Sequence, residues 1–466
     1  MKSSPCDNNM SEKARVDVET ARPPRSRSPI TKFFLSSAFV LLVLGSLFHP
    51  RSPCYHHRLR YGSSRLGSLS IEERVHKILS ETPLIDGHND LAILIRSMFN
   101  NHIYDKAFTE PFTQGGFPSH TDLPRLREGQ NGGAFWSVYT PCPTNGSDWS
   151  DENYAASVQL TLQQIDLMTR LQAAYPDSFS GTPMDSHAAQ AAFAQGKLIS
   201  PLGVEGLHQI GNAVANLRRF HALGVRYATL THNCGNVFAD AALWQDPSLH
   251  KAPPVWGGVS PLGRKLVNEM NRIGMIVDLS HVSVDTMLDV LGGREDKWEG
   301  SKAPVMFSHS SAYAVCPHPR NVPDDVLQLV KKRNSIVMVN FAPDFVSCVE
   351  NDDPSGVPTF YPANNTLSHV ADHITHIGDL IGYDHVGLGS DFDGIGSTPE
   401  GLDDVSKYPD LIAELLRRGV SDDDAAKLVG RNILRVWAEV EKVAAMLQAE
   451  GEPVLEDDLP DLFIEI

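Results

Sequence analysis

The stretch "PLIDGHNDLAIL", residues 83–94, decides how this chain is read. It starts as a buried strand, Leu84 to Asp86, and ends in polar groups, with Asp86, His88 and Asp90 at alternate positions. Side chains two apart on a strand share a face. Three ionisable groups on one face are costly in a core unless something pairs with them. A metal ion is such a partner, and it needs further ligands elsewhere in the chain.

Those ligands are sought at other strand ends. Short apolar runs at 83–88, 134–139, 199–204, 226–231, 275–280, 304–308, 335–341 and 385–390 read as strands buried on both faces. "GMIVDLSH", "APVMFSHS", "NSIVMVNF" and "DHVGLGSDFDG" are the clearest. Helical patterns lie between them. Val158, Leu162, Ile165 and Met168 form a stripe within 152–173, and further helical segments are 209–222, 261–273, 283–292, 323–332 and 367–381. Ser421 to Asp424 resembles a capping box, opening a helix that runs to about residue 448. Eight strands with intervening helices predict an α/β fold, a (β/α)8 TIM-type barrel. A doubly wound open sheet is the rival, but it gives no reason for polar residues at so many strand ends.

Six of the eight runs end in His, Asp or Glu: His88 with Asp90, then Glu205, His232, His281, His309 and Asp391. A lone buried histidine is more often a satisfied core residue. In a barrel, however, all these strand ends meet at the C-terminal mouth. Four His, two Asp and one Glu, with no Cys, suit zinc, and less strongly manganese, iron or cobalt. A carboxylate such as Glu205 can bridge two ions, and ions ~3.5–4 Å apart can hold a hydroxide and polarise a carbonyl. The expectation is a binuclear metal site at the C-terminal mouth.

The 466 residues, 41% hydrophobic, suffice for one large core. The net charge of −17 argues against a nucleic-acid partner, which would need basic patches. Residues 1–32, rich in Ser, Pro, Lys and Arg, read as a disordered basic tail. "FFLSSAFVLLVLGSLF", residues 33–48, reads as a membrane signal anchor, with Arg22, Arg25, Arg27 and Lys32 retained in the cytosol. A cleaved signal peptide, giving a secreted protein, and a core helix are the alternatives. Residues 49–69 then form a linker, 70–450 the catalytic domain and 451–466 an acidic tail. The expected product is a single-pass membrane protein with its catalytic domain outside the cytosol. Cys142, Cys234, Cys316 and Cys348 fall in the globular part without a C-x-x-C pair, so either two disulfides or four buried thiols fit. Asn145 and Asn364 open glycosylation sequons.

"DGHNDL", "GVEG", "YATLTHN", "DLSH", "FSHSSA", "HPRN", "GLGSDFDG" and "LVGRNILRVW" together resemble the membrane dipeptidase (renal dipeptidase) family of the amidohydrolase superfamily. The resemblance runs from about residue 70 to 445. It implies a barrel with two zinc ions that hydrolyses dipeptides, some members also accepting a C-terminal D-residue or opening β-lactam rings. Residue by residue, it implies that His88 and Asp90 hold one zinc, that His281 and His309 hold the other, and that Glu205 bridges them. It makes His232 and Arg320 substrate-binding and Asp391 the catalytic acid/base. A metal-bridging hydroxide would then attack the scissile carbonyl, with Asp391 passing a proton to the leaving amine and His232 donating to the oxyanion. The planar fork of Arg320 suits the free carboxylate of a dipeptide, the plain alternative being a salt bridge between loops. Asp86 and Asp278 read as supporting carboxylates rather than ligands. The family pattern also implies disulfides Cys142–Cys234 and Cys316–Cys348, and a homodimer. Family members carry a late cysteine that links two subunits; no cysteine follows Cys348, so the dimer is expected to be non-covalent. The chain ends "DLPDLFIEI" where the family has a lipid-anchor signal, so membrane attachment is expected through residues 33–48.

Two rival functions remain at this level. Other amidohydrolases act on cyclic amides, N-acyl amino acids or phosphotriesters, and many bridge their metals with a carboxylated lysine on the fourth strand. "VRYATLTHN" contains no lysine. A non-catalytic ectodomain would be expected to have lost ligands, and none of the positions is lost.

Overall fold

Strand β1 (Leu84–Asn89), which carries the opening motif, is buried at every position. The computed structural model describes residues 69–458, apart from 183, 246–247 and 295–297. Seven further strands join β1: β2 (Asn131–Ser137), β3 (Leu202–Glu205), β4 (Val225–Thr229), β5 (Ile276–Asp278), β6 (Met306–Phe307), β7 (Ile336–Val339) and β8 (Val386–Leu388). They are parallel and close into a barrel in the order β1-β8-β7-β6-β5-β4-β3-β2. The fold is the expected (β/α)8 barrel. Helices cover the outside and side chains fill the inside, so the strands are apolar without alternation.

The helix before β5 shows how local sequence sets an element. Ser260 caps it by accepting from the Gly263 N–H, Pro261 occupies the first turn, and Gly274 ends it in the left-handed region. Leu266, Val267 and Met270 are its buried face.

Several expectations needed correction. Strands β5 and β6 are shorter than the apolar runs at 275–280 and 304–308. After β5, as after β8, the chain leaves the ladder to present its polar residue: His281 and Asp391 have φ of 65° and 66°. The helix expected at 209–222 is a 3-10 turn, Leu207–Ile210, then a helix, Val214–Ala222, because Gly211 adopts a left-handed conformation between them. The last helix is also interrupted. Ser421 caps Asp422–Ala426 by accepting from Asp424 N–H, a π turn follows at Lys427–Arg431, and the helix resumes at Asn432–Ala449. The helix Ile71–Glu81 and the hairpins Leu243–Lys251 and Cys348–Phe360 were not expected.

Ile85, Phe135, Tyr227, Ile276, Met306 and Ile336 form one apolar layer with Trp437 of the last helix. Asn432 donates to the carbonyls of Tyr383 and Val386, and Arg435 to that of Asn334, so this helix sits where β7 and β8 begin. It closes the end of the barrel opposite the polar mouth. Both disulfides form as the family pattern implied, Cys142–Cys234 and Cys316–Cys348. Asn145 and Asn364 are exposed. The basic tail, the anchor run 33–48, nearly all of the linker, and residues 459–466 of the acidic tail lie outside the described residues. Among the described residues no helix is long and apolar enough to cross a membrane.

Candidate active site

The strand ends bring the polar set together at the barrel mouth. Glu205, at the end of β3, stands at its centre. Its Oε1 lies 2.9 Å from His281 Nε2 and 3.4 Å from His309 Nε2. Its Oε2 lies 3.6 Å from His88 Nε2, which is 3.1 Å from Asp90 Oδ2. One carboxylate thus faces two pairs of candidate ligands, and all of these side chains are buried.

The proton positions show why this set fits a cation. Ser308 Oγ donates its one proton to Asp278, so it accepts from His309 Nδ1–H. His281 Nδ1 donates to Asn233 Oδ1. Both rings therefore turn a lone pair outward at Nε2, and these two atoms are only 3.0 Å apart. Burial, reinforced by Arg320 at His281 and His88 at His309, holds both imidazoles well below the usual histidine range, hence neutral. Facing lone pairs in a dry site repel unless a cation lies between them and the nearby carboxylate. Asp90 Oδ1 is likewise buried without a hydrogen-bond partner. At His88 burial acts downward, but the carboxylates of Glu205, Asp90 and Asp391 outweigh it and raise the group to about 10. The pocket draws positive charge, and its nitrogen and carboxylate donors suit zinc-type ions.

Asp86 and Asp278 hold this set in place through one repeated device. Asp86 Oδ1 accepts the N–H groups of His88 and Ser390, and Oδ2 accepts the hydroxyls of Ser390 and Tyr408. Asp278 Oδ1 accepts the N–H groups of Ser280 and Ser308, and Oδ2 accepts the hydroxyls of Ser308 and Thr229. The registers match: Asp86 pairs with Leu388, two residues before Ser390, and Asp278 with Met306, two before Ser308. Each clamp pins the residue just ahead of a left-handed one, Ser280 before His281 and Ser390 before Asp391. Positive φ is uncommon outside glycine and is sustained by surrounding contacts of this kind. A β-carbon at Gly389 would collide with the Ser308 carbonyl, so only glycine permits the residue after β8 to approach the residue after β6 this closely.

Three more residues complete the mouth. Asp391 accepts a hydrogen bond from Asn340 Nδ2 at 3.2 Å, and burial pushes its carboxyl up to about 7. Arg320 is 2% exposed, its guanidinium lies 4.9 Å from the Phe345 ring centre, and its buried Nε has no partner. His232 Nε2 is 3.8 Å from Glu205 Oε1, and its ring lies 4.2 Å from that of His281 and 5.0 Å from that of Tyr139. Ligand-capable atoms gather in overlapping groups: His88 with Asp90 and Glu205, His88 with His309 and Asp391, and Glu205 with His232 and His281.

This arrangement can be set beside known proteins. The family model of membrane dipeptidases, peptidase family M19, matches residues 72–451. The chain belongs to the membrane dipeptidase family. It is 46% identical over 403 residues to dipeptidase aclJ of Aspergillus oryzae, covering 85% of this chain and 88% of that one. It is 45% identical over 390 residues to an uncharacterised dipeptidase of Schizosaccharomyces pombe, covering 83% and 87%. A Rhodobacter sphaeroides metallopeptidase, solved with a phosphinate mimic of L-Ala-D-Ala, superposes with a TM-score of 0.62 at 26% identity, over 77% of this chain and 99% of that chain. As a member of the M19 metallopeptidases, this protein is a metal-dependent dipeptidase that acts on dipeptides.

The candidate metal ligands, with His232, Arg320 and Asp391, come together at the mouth of this dipeptidase barrel, and Asp86 and Asp278 sit beneath it. Reading the strand ends missed Asn233, Asn340, Tyr139 and Tyr227, whose hydroxyl lies 2.7 Å from His88 Nδ1. Asn233 directly follows His232, and Asn340 ends the β7 run, so both carried a positional signal. Tyr227 lies in mid-strand, between Arg226 and Ala228 and away from the strand end, and carried none.

Proposed function

We propose that this protein is a two-zinc dipeptidase in which Glu205 bridges the ions, His88 and Asp90 hold one, and His281 and His309 hold the other. The observation that carries this reading is the division of Glu205, with one oxygen toward His281 and His309 and the other toward His88 and Asp90. Zinc bound there would act as a Lewis acid on the scissile carbonyl and make water a competent nucleophile near neutral pH.

The chain's own groups supply the rest. Arg320 offers its unpartnered Nε and fork to the substrate's terminal carboxylate. His232, kept neutral chiefly by burial, donates from Nε2 to the developing oxyanion. Asp391, raised to about 7 by burial, takes a proton from water and returns it to the leaving amine. The Rhodobacter relative bound to an L-Ala-D-Ala mimic supports acceptance of L,D as well as L,L dipeptides. The family resemblance supports a homodimer, and the apolar run at 33–48 supports a membrane-tethered catalytic domain outside the cytosol, glycosylated at Asn145 and Asn364.

Metal analysis of the purified protein tests the centre, with about two zinc per chain expected. Glu205→Gln should lose activity and bound metal together, and retention of both would overturn the bridging role. Amidating the C-terminal carboxylate of a dipeptide should sharply reduce turnover. Equal turnover would remove Arg320 from its assigned task.

A further inference from the structure

The metal-centre cleft, about 340 Å3, is not the only opening at the barrel mouth. A cavity of about 580 Å3 adjoins it and shares Tyr139 and Asn233 with its wall. The Cys142–Cys234 disulfide, Trp244 and Gln245 form the rest of the part that matters here. No charged side chain among the described residues lines it. Its volume falls in the range of about 300–1,000 Å3 that holds whole small molecules, far more than a methyl or isopropyl group fills.

Its place in the barrel says which part of a substrate reaches it. Arg320 follows β6, whereas Tyr139 and Cys142 follow β2, four strands away around the eight-stranded ring and so across the mouth. A dipeptide held at Arg320 by its carboxylate spans the centre with its scissile carbonyl near Glu205. Its N-terminal residue then lies toward Tyr139, Asn233 and His232. Asn233 also touches the site through His281 Nδ1, and Cys142 Sγ lies 3.6 Å from His232 Nδ1. The cavity wall and the reacting centre are therefore one continuous surface.

We propose that this cavity is the subsite for the N-terminal side chain, and that it selects dipeptides whose first residue is bulky, aromatic and uncharged. The proposal rests on the dipeptidase reading with Arg320 as the carboxylate anchor. Tyr139 and Trp244 offer aromatic contact, and an aromatic side chain brings a large apolar area to bury. A buried charge would find no counter-ion among the described lining residues.

The test uses zinc-loaded enzyme and dipeptides that share a C-terminal glycine. Gly-Gly, Ala-Gly, Leu-Gly, Phe-Gly, Trp-Gly, Glu-Gly and Lys-Gly are compared by kcat/KM. Phe-Gly and Trp-Gly should exceed Gly-Gly by at least about tenfold, since each added methylene in a fitted pocket is worth roughly 10–200-fold. Glu-Gly and Lys-Gly should fall about tenfold below Leu-Gly. Trp244→Ala should reduce kcat/KM for Phe-Gly and Trp-Gly more than for Gly-Gly. Gln245→Glu, an exposed change that does not threaten folding, should raise Lys-Gly relative to Leu-Gly. Rapid hydrolysis of all seven at similar rates, or variants that shift every substrate equally, overturns the subsite and leaves the dipeptidase reading intact. Hydrolysis of none of them overturns both.

Discussion

At Glu205 a single carboxylate answers to two pairs of partners, and the chemistry of the site turns on which atoms face which. The same precision marks the supporting aspartates. Asp278 saturates its acceptor capacity with two N–H groups and two hydroxyls, and so fixes the backbone that carries His281 and His309. Asp278→Ala should weaken metal affinity about 10–100-fold, the range seen when outer partners of metal ligands are removed. Asp278→Asn keeps an acceptor for the two N–H groups and should recover part of that loss. Competition with a fluorescent chelator measures both, and unchanged affinity in the Ala variant would refute the positioning role. Asp391→Asn should act differently. With about 10²–10⁴-fold loss of kcat expected for a general acid/base and the metal content unchanged, it would separate proton transfer from metal holding. Loss of metal in this variant would instead make Asp391 a ligand. His88, Asp90, His281 and His309 were legible in the sequence because each ends an apolar run. The tautomers were not, since they depend on Ser308 and Asn233, contributed by other strand ends.

The element that brings Arg320 into the mouth is a long excursion after β6. The Cys316–Cys348 disulfide ties it to the loop that follows β7, with a separation of 32 residues. His373, in the helix Leu367–Ile381, braces the same region. Its Nδ1 accepts from Ala312 N–H and its Nε2 donates to the Val346 carbonyl. Replacing both cysteines with serine should cost about 3–4 kcal/mol by loop entropy, seen as a lower denaturant midpoint. It should also raise KM, because Arg320 loses its tether. A midpoint shift with unchanged KM would show that the disulfide stabilises the fold without positioning Arg320. The pairing was readable through the family pattern, whereas spacing alone left two disulfides or four thiols open.

Over the whole molecule, burial of neutral histidines ties stability to pH. Burial lowers His208 and His373 to about 4, and neither is among the candidate metal ligands. Below pH 6.5 the unfolded chain gains protons at these residues while the folded chain does not. Their stabilising contribution is therefore complete above 6.5 and is lost as pH falls toward 4. The denaturation midpoint should drop across that interval, and His373→Gln, which keeps a donor and an acceptor, should flatten the slope. A midpoint independent of pH from 6.5 to 4 would refute this linkage. By itself, the sequence determined the strand-and-helix alternation, the barrel and the polar strand ends, because burial on both faces demands apolar runs and any ionisable group interrupting them stands out. It did not determine how far each ladder extends, where the last helix breaks, or which carboxylate atoms face which rings. Only the tertiary structure decided these, because they depend on contacts such as Asp86 with Ser390 and Tyr408, hundreds of residues apart in the chain and adjacent only once the barrel has closed.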